Sequence, residues 1–431
     1  MTGGMDGTEK AAGNSCVRSV LVVGGGAAGL MAAGAAAERG LLVTVLERNA
    51  RMGRKLMITG KGRCNITNNC TVPDFIANVP ENGRFLYSAL SAFTPQDMMA
   101  FLEGEGLPVK TERGNRVFPC SDKARDVVDT LVAYVRRAGC RFREGRAVSL
   151  LLEDGACVGV RLEDGKECRA DAVIVCTGGL SYPLTGSTGD GYALAEQAGH
   201  TVVPPRPSLA PLVCAESWCA ELQGLSLRNC ALTVTDTRRN RKTYEDFGEM
   251  LFTHFGVSGP MILSASAHMR EMEPGRYRLS IDLKPALTPE QLDARLVRDF
   301  TENRNRDFAN SLGALLPRSL CPVIVALSGV RPDEKCNAIT REQRRSLAQL
   351  LKALPLTVEG FRPVEEAIVT SGGVRVSELN AQTMESKKAK GLFFAGEVLD
   401  VDAYTGGFNL QIAFSTGVAA GRHANRSIEK A

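Results

Sequence analysis

A short apolar segment that runs into a glycine-rich turn constrains this chain more than any other feature. Residues 20–29 read VLVVGGGAAG, and Gly24, Gly26 and Gly29 form the pattern G-x-G-x-x-G directly after the apolar run. The alanine-rich segment 30–38 then predicts a helix. In such a unit Gly24 allows a tight turn, Gly26 lets the backbone approach a pyrophosphate, and Gly29 lets the helix pack against the strand. The sequence therefore predicts a dinucleotide site.

An acidic residue completes this unit. A second apolar strand, predicted over residues 41–46, ends at Glu47, which lies 23 residues after Gly24. A carboxylate at this place can accept hydrogen bonds from ribose hydroxyl groups. The helix N-terminus, with the amides of Ala27 and Ala28, offers unpaired N–H groups and a positive dipole end to the phosphates. We therefore expect these residues to bind a dinucleotide.

Two further strands end at glycines. The apolar segment 172–176 stops at Thr177, Gly178 and Gly179, and the segment 391–396 stops at Gly396 and Glu397. Together with the first turn this makes three strand-to-glycine turns, more than one mononucleotide needs. We expect all three to approach the same ligand.

Bulk properties exclude several classes of function. The net charge is +4 with both signs mixed along the chain, which does not indicate a nucleic-acid partner. No apolar run approaches the roughly 20 residues that span a membrane, and residues 1–15 are polar, which predicts a disordered tail and no signal peptide. The 13 cysteines are scattered, and neither they nor the four histidines show metal-ligand spacing. We expect a cytoplasmic protein without a metal site.

The residue composition and the predicted secondary structure change several times along the chain. Residues 48–69 form a Gly-, Lys- and Arg-rich segment that predicts a long functional loop. Prolines crowd together from residue 204, as they do at a domain junction. The sequence predicts one α/β domain interrupted by an insert, with these parts: a first part over 1–205, an insert over 206–365 that is β-rich at 206–285 and 355–365 and helical at 286–354, and a second part over 366–431.

Six segments of the chain together carry a family resemblance. The sequence resembles the YhiN/BaiN-type family of NAD(P)/FAD-dependent oxidoreductases. Matching segments follow the family order along nearly the whole chain: 24–33, 53–68, 177–192, 248–266, 369–374 and 396–421. The resemblance implies an α/β fold with a glutathione-reductase-like FAD-binding Rossmann domain, FAD as cofactor, and NADH or NADPH as transient reductant.

The resemblance also directs attention to particular residues. Arg48, Arg54 and Lys55 are candidates to neutralise the pyrophosphate or the flavin. Solvent-facing charge is the alternative, but their place in a glycine-rich segment next to a dinucleotide site favours contact for at least one of them. Asn65 and Thr67 are candidates for the flavin rim, and Val148 either offers its backbone to adenine or belongs to the core. The remaining cofactor candidates lie at the later glycine turns and the start of the last helix: Thr177, Gly178, Gly179, Gly396, Glu397, Gly407, Asn409, Leu410 and Gln411.

The implied activity is reduction of a C=C bond conjugated to a ketone in a small molecule such as a steroid or bile-acid intermediate. Hydride would pass from flavin N5 to the β-carbon. Tyr182 and Tyr404 are candidate proton donors, with packing aromatics as the alternative, and His254 is either a substrate contact or a structural histidine. Oxidation of a small amine such as aminoacetone, and a non-catalytic flavin sensor, are the alternative functions. A redox pair at Cys64 and Cys70 is disfavoured by its spacing, and RNA modification by the mild charge.

Overall fold

The computed structural model describes residues 18–424, so the tail expected at 1–15 lies outside the described residues. Its first half alternates helices with short strands. The elements in chain order are β1 (Ser19–Val23), α1 (Ala27–Ala37), β2 (Leu42–Glu47), α2 (Arg54–Ile58), β3 (Thr67–Asn68), α3 (Val72–Ala77), α4 (Tyr87–Ala92), α5 (Pro95–Gly104), β4 (Val109–Glu112), β5 (Arg116–Pro119), α6 (Ala124–Arg137), β6 (Arg141–Glu144), β7 (Ala147–Glu153), β8 (Ala156–Leu162), β9 (Glu167–Arg169), β10 (Ala172–Val175), α7 (Asp190–Gln197) and β11 (Val202–Ser208).

The second half contains longer strands and then helices. Its elements are β12 (Leu212–Cys214), β13 (Ser226–Asp236), β14 (Arg241–Thr253), β15 (Gly256–Ser258), α8 (Pro260–Ser266), β16 (Tyr277–Asp282), α9 (Pro289–Glu302), α10 (Leu320–Leu327), α11 (Arg341–Lys352), β17 (Leu354–Phe361), β18 (Val369–Val374), β19 (Leu392–Phe394) and α12 (Phe408–His423).

The first unit is built on a parallel sheet. Its five strands lie in the order β19-β10-β1-β2-β6, and every pair is parallel. The strands β1 and β10 are apolar almost throughout because both faces of the sheet are covered. Helices α1 and α12 pack so closely that a Cβ on Gly417 would lie 2.3 Å from the Ala28 carbonyl oxygen. This is the Rossmann-type α/β fold expected from the sequence, and the fold class is confirmed.

The second unit is a closed barrel. Six antiparallel strands follow each other around it in the order β12-β15-β14-β13-β16-β17, with α9, α10 and α11 inserted in the chain between β16 and β17. It has a hydrophobic core of its own, separate from the core around the parallel sheet. Strands β11 and β18 pair with each other where the chain enters and leaves this unit. Strand β11 runs through residue 205. The domain boundaries at 205 and 365 remain a prediction.

Residues 48–69 differ from the long unstructured loop expected for them. They contain the one-turn helix α2, a 3-10 turn at Thr59–Gly62 and the short strand β3. Gly53, with φ of 70°, turns the chain into α2, and Leu56 of that helix is buried in the core. This anchoring needs one apolar residue only, which is too weak a pattern to predict a helix. Among residues 18–424 no helix is long and apolar enough to cross a membrane.

Candidate cofactor and active site

A cavity of about 1080 Å³ lies at the carboxyl ends of the parallel strands β1, β2, β10 and β19. This edge of an open α/β sheet is where such folds bind their ligands. The predicted site residues that line it are Gly24, Gly26, Ala27, Ala28, Glu47, Arg48, Arg54, Lys55, Thr177, Gly178, Gly396, Glu397, Asn409 and Leu410.

The three glycines of the first turn have three different environments. A Cβ on Gly24 would lie 2.5 Å from the Cys176 carbonyl oxygen, and a Cβ on Gly29 would lie 1.8 Å from the Gly24 carbonyl oxygen. Protein packing therefore requires both. A Cβ on Gly26 would meet no protein atom within 4 Å, and Gly26 lines the cavity with an extended φ of −86°. Protein packing does not require a glycine at position 26, but close approach of a ligand to the backbone does. A pyrophosphate at the N-terminus of α1 would be such a ligand.

The carboxylate of Glu47 is fixed at the end of β2. One oxygen accepts a hydrogen bond of 2.8 Å from the Gly25 amide, and the other accepts bonds from the backbone and side chain of Asn49 at 2.9 Å and 2.7 Å. The side chain is buried, with 8% of the residue exposed. The oxygen that accepts from Gly25 has a second lone pair, so the carboxylate can still accept a hydrogen bond from a ribose.

Lys55 and Glu397 form an ion pair across the cavity, with Nζ 2.6 Å from Oε2. Lys55 also donates to the Ser181 hydroxyl at 2.6 Å, and Glu397 accepts a hydrogen bond of 2.9 Å from the Thr370 amide. The pair neutralises the lysine charge that we expected to face a phosphate or the flavin. It leaves a polar, net-neutral wall at the middle of the cavity.

A second cluster of charged side chains lines the cavity next to the start of β7. Arg146 holds Asp190 through two hydrogen bonds of 2.9 Å and 2.8 Å, and Arg48 donates to Asp190 at 3.2 Å and to Thr188 at 2.6 Å. Burial opposes ionisation of Asp190, but the hydrogen bonds from Arg146 and Thr188 outweigh it and keep the pKa of Asp190 below its usual range. Arg146 also pairs with Glu163 at 3.2 Å, so the two arginines face two carboxylates and the cluster carries no net charge.

Several predicted residues lie in the walls without lining the cavity. Gly29 and Gly179 pack against the Gly24 backbone and the Thr370 side chain. Val148 is 45% exposed, and Ala147 lines the cavity in its place. The pairing of β7 with β8 shifts register between Ala147 and Ser149, which turns the Val148 side chain outward.

The start of α12 is held by the segment around β3. Gly407 caps α12 with φ of 101°, and a Cβ there would lie 2.3 Å from the Thr67 carbonyl oxygen. With its amide oriented to satisfy its neighbours, Asn65 accepts a hydrogen bond of 3.0 Å from the Gly407 amide. Gln411 is fully buried and donates to the Phe93 carbonyl oxygen at 3.2 Å. These residues position the helix N-terminus that lines the cavity through Asn409.

Two buried hydroxyl groups next to this region have no hydrogen-bond partner among the described residues. They belong to Thr177, which lines the cavity, and Thr67, which lies behind the α12 cap. A buried hydroxyl without a partner costs free energy, and a ligand with polar atoms would satisfy the one on Thr177. Together with the bare Gly26 backbone and the Glu47 carboxylate, this donor set fits FAD.

The two candidate proton donors differ in their surroundings. The Tyr404 hydroxyl lies 2.6 Å from Nε2 of His268, whose ring stacks on that of Tyr404 with centroids 5.5 Å apart. Burial raises the pKa of Tyr404 and lowers the pKa of His268, so a protonated phenol faces a neutral imidazole at neutral pH. Tyr182 is half-buried with φ of 54°, and burial raises its pKa as well.

The cysteines do not have the environment of a redox pair. Burial raises the pKa of Cys64 to about 12 and that of Cys70 to about 11, which disfavours the reactive thiolates. Both are free thiols. His254 is exposed, and its ring contacts that of Phe255 at a centroid distance of 5.0 Å. Within residues 18–424 no group of His, Cys, Asp or Glu side chains has an arrangement that would hold a metal ion.

Sequence reasoning missed several residues of the cavity wall. Asn49 fixes Glu47, Arg146 fixes Asp190, and Ser181 and Thr370 hold Glu397. Ser181 and Asp190 belong to the matched segment 177–192, so that segment contained a usable signal. Nothing in the sequence pairs Arg146 or Thr370 with a carboxylate.

Replacing Glu47 with alanine should weaken FAD binding about tenfold or more, because the ribose loses an acceptor and the Gly25 amide loses its partner. Isothermal titration of the apoprotein with FAD measures this. Glu47→Gln is the matched control, since it keeps one acceptor for Gly25 and should bind with an intermediate affinity. Wild-type affinity in Glu47→Ala would show that Glu47 does not contact the cofactor.

Comparison with known proteins gives matches along almost all the described chain. The family model described as HI0933-like protein Rossmann domain matches residues 18–423. The Escherichia coli (strain K12) protein named ribosomal RNA dihydrouridine synthase is 32% identical over 402 residues, which cover 93% of this chain and 96% of that protein. A Haemophilus influenzae protein of the same name is 31% identical over 411 residues, 94% of this chain and 98% of that one.

A third relative has a different name. The Clostridium scindens protein named 3-dehydro-bile acid delta(4,6)-reductase is 32% identical over 407 residues, which cover 94% of this chain and 98% of that protein. The chain is thus about equally similar to relatives named for a small-molecule substrate and for an RNA substrate.

Proposed function

The chain belongs to the HI0933-like family of Rossmann flavoproteins, the YhiN/BaiN type, and on that premise we propose that it reduces a C=C bond conjugated to a carbonyl group. It is an FAD-dependent oxidoreductase. NADH or NADPH is the proposed reductant, which delivers a hydride and leaves as the oxidised nucleotide. The cavity that ends at Gly26, Glu47 and Asn409 is the observation that carries the proposal.

The names of the relatives support one reaction class. A bile-acid delta(4,6)-reductase saturates C=C bonds in conjugation with a ketone, and dihydrouridine is uridine with its C5=C6 bond saturated, next to the C4 carbonyl group. Both products arise by adding a hydride to the β-carbon and a proton to the α-carbon. We therefore propose the reaction class first, a steroid-like enone as the first substrate candidate and a uracil base in RNA as the second.

The chain's own residues are assigned the binding and proton steps. Bound FAD, once reduced, supplies the hydride for the β-carbon. Lys55 and Glu397 form the polar wall beside the cofactor, and the N-terminus of α12 presents its positive dipole end. Tyr404 donates the proton to the α-carbon. His268 then relays a proton from solvent to the phenolate, with one ring nitrogen taking up a proton as the other gives one up, so that the imidazole is neutral before and after the step.

The expectation of no nucleic-acid partner rested on the net charge of +4. Net charge describes the whole chain and says nothing about a local surface, so it does not weigh against the second substrate candidate. The amine-oxidase and sensor alternatives differ from both in their acceptor chemistry, because an oxidase passes electrons to oxygen and a sensor turns over nothing.

Anaerobic stopped-flow mixing of the FAD-loaded protein with NADH or NADPH tests the proposal. We expect one nucleotide to bleach the flavin, and we expect an enone or a uridine-containing RNA to restore its absorbance. Reoxidation by oxygen alone, together with reduction by an amine, would favour the oxidase. Failure of both nucleotides to bleach the flavin would remove the nicotinamide-dependent reductase from consideration.

A further inference from the structure

A second, larger crevice of about 1760 Å³ lies between the Rossmann unit and the barrel. One wall comes from α3, the β4–β5 turn and the start of α12, and the other from β13 and β14. The lining residues that matter here are the arginines Arg113, Arg116 and Arg228, the exposed ring of Phe247, and Thr405, Gly406 and Phe408 before and at the start of α12.

This crevice adjoins the cofactor cavity through the start of α12. Thr405, Gly406 and Phe408 line the crevice, while Asn409 and Leu410 line the cavity. A molecule in the crevice therefore reaches the helix end that the cofactor also reaches. This is the place for a substrate to approach a cofactor from the side of the barrel.

The turn that carries two of the arginines is fixed to this helix end. The buried amide of Asn68 donates to the Gly114 carbonyl oxygen at 3.0 Å and to the Gly406 carbonyl oxygen at 3.1 Å. One side chain thus ties the β4–β5 turn to the loop before α12. Arg113 and Arg116 flank the tied residue Gly114, so their charges are held near the reaction site.

The third arginine is turned into the crevice by a bulge. The pairing of β13 with β14 shifts register between Leu227 and Cys230, and the intervening Arg228 and Asn229 are exposed. Bulges of this kind re-aim side chains and occur often beside active sites. The barrel thereby contributes a cation opposite the two cations of the Rossmann unit.

None of the three guanidinium groups forms an ion pair with a residue in 18–424; Arg116 donates a hydrogen bond to the Arg113 carbonyl oxygen at 3.0 Å. The crevice also contains two acids, but these are hydrogen-bonded to hydroxyl groups, Asp74 to Thr71 and Glu249 to Ser226. Three cations against two acids leave the crevice with an excess positive charge.

We propose that Arg113, Arg116 and Arg228 form an oxyanion-binding site for the charged part of the substrate, an inference that rests on the proposed function. Guanidinium groups bind carboxylates and phosphates through paired hydrogen bonds. Phe247, 56% exposed in the same crevice, offers a ring face to a planar or polycyclic group. The oxyanion is either the carboxylate of a bile-acid enone or the phosphodiester of an RNA strand.

Equilibrium binding to the FAD-loaded protein tests this without turnover. The probes are a bile-acid enone with a free carboxylate, its methyl ester, fluorescein-labelled hexauridylate, and uridine. In the triple variant Arg113→Gln, Arg116→Gln, Arg228→Gln we expect at least one anionic probe to bind about tenfold more weakly or worse. Its neutral counterpart should bind the triple variant and the wild type alike. The anionic probe that responds identifies the source of the oxyanion.

Arg278→Gln is the matched control, because Arg278 is exposed on β16 and does not line the crevice. It should bind all probes as the wild type does, and the flavin spectrum should show that every variant is loaded and folded. Equal binding of both anionic probes by the triple variant and the wild type, or no binding of either to the wild type, would overturn the oxyanion site. Neither result depends on whether the enone or RNA is reduced, so this failure differs from failure of the proposed reaction.

Discussion

Replacing Gly26 with valine should give a protein that folds but no longer holds FAD. A Cβ at this position meets no protein atom within 4 Å and points into the cavity. The extended backbone of Gly26, with φ of −86° and ψ of −164°, suits a β-branched residue. Changing the residue that precedes α1 typically costs about 1 kcal/mol. The branched side chain would occupy the space of the pyrophosphate, and we expect FAD affinity to fall about 100-fold or more.

Thermal unfolding of the apoprotein and FAD titration measure the two effects separately. Gly29→Ala is the matched control, because its Cβ would lie 1.8 Å from the Gly24 carbonyl oxygen. That variant should lose about 3 kcal/mol of stability or fail to fold. Retention of FAD by Gly26→Val at wild-type affinity would place the pyrophosphate elsewhere, and a large loss of stability in Gly26→Val would show that packing requires this glycine.

Replacing Tyr404 with phenylalanine should slow the reduction of the substrate about 100-fold while leaving reduction of the flavin by nicotinamide unchanged. Loss of a general acid typically costs a factor of about 100–10,000, and only the acceptor half-reaction needs this proton. Because burial raises the pKa of Tyr404, the phenol stays protonated and the wild-type rate should remain level up to about pH 9 or beyond. Stopped-flow measurement of both half-reactions over a pH series gives each quantity.

Tyr182→Phe is the comparison variant for the proton donor, since Tyr182 is also half-buried and lies in a matched glycine-rich segment. A loss confined to Tyr182→Phe would transfer the role to that residue. In His268→Gln the rate of substrate reduction should vary with pH, whereas the wild-type rate stays level. Glutamine accepts a hydrogen bond from Tyr404 but cannot return a proton. Equal rates in all three variants and the wild type would rule out both tyrosines as donors.

Local patterns were enough to propose which residues bind the phosphates. The turn at Gly24, Gly26 and Gly29, and the acid Glu47 at the next strand end, are separated by few residues, and each role follows from backbone geometry. The packing of the turn agrees with those roles.

Residues brought together over long distances were beyond sequence reasoning. Lys55 and Glu397 are 342 positions apart, and they form an ion pair only because the fold brings α2 to the loop that follows β19. Likewise His268 reaches Tyr404 only because the barrel docks on the Rossmann unit. Position in a motif suggested that Lys55 faces the cofactor, but only the fold reveals that its charge is already paired.

We propose that this chain uses FAD to saturate a C=C bond next to a carbonyl group, and single turnover in deuterium oxide tests this most directly. The FAD-loaded protein is reduced by light under anaerobic conditions and then mixed with a bile-acid enone or a uridine-containing RNA. We predict one saturated product per flavin and recovery of the oxidised flavin spectrum. The product should carry one deuterium at the α-carbon from the proton donor and one at the β-carbon, because the transferable hydrogen of a reduced flavin exchanges with solvent before mixing. A flavin that stays reduced with both acceptors and is reoxidised only by oxygen would contradict the account.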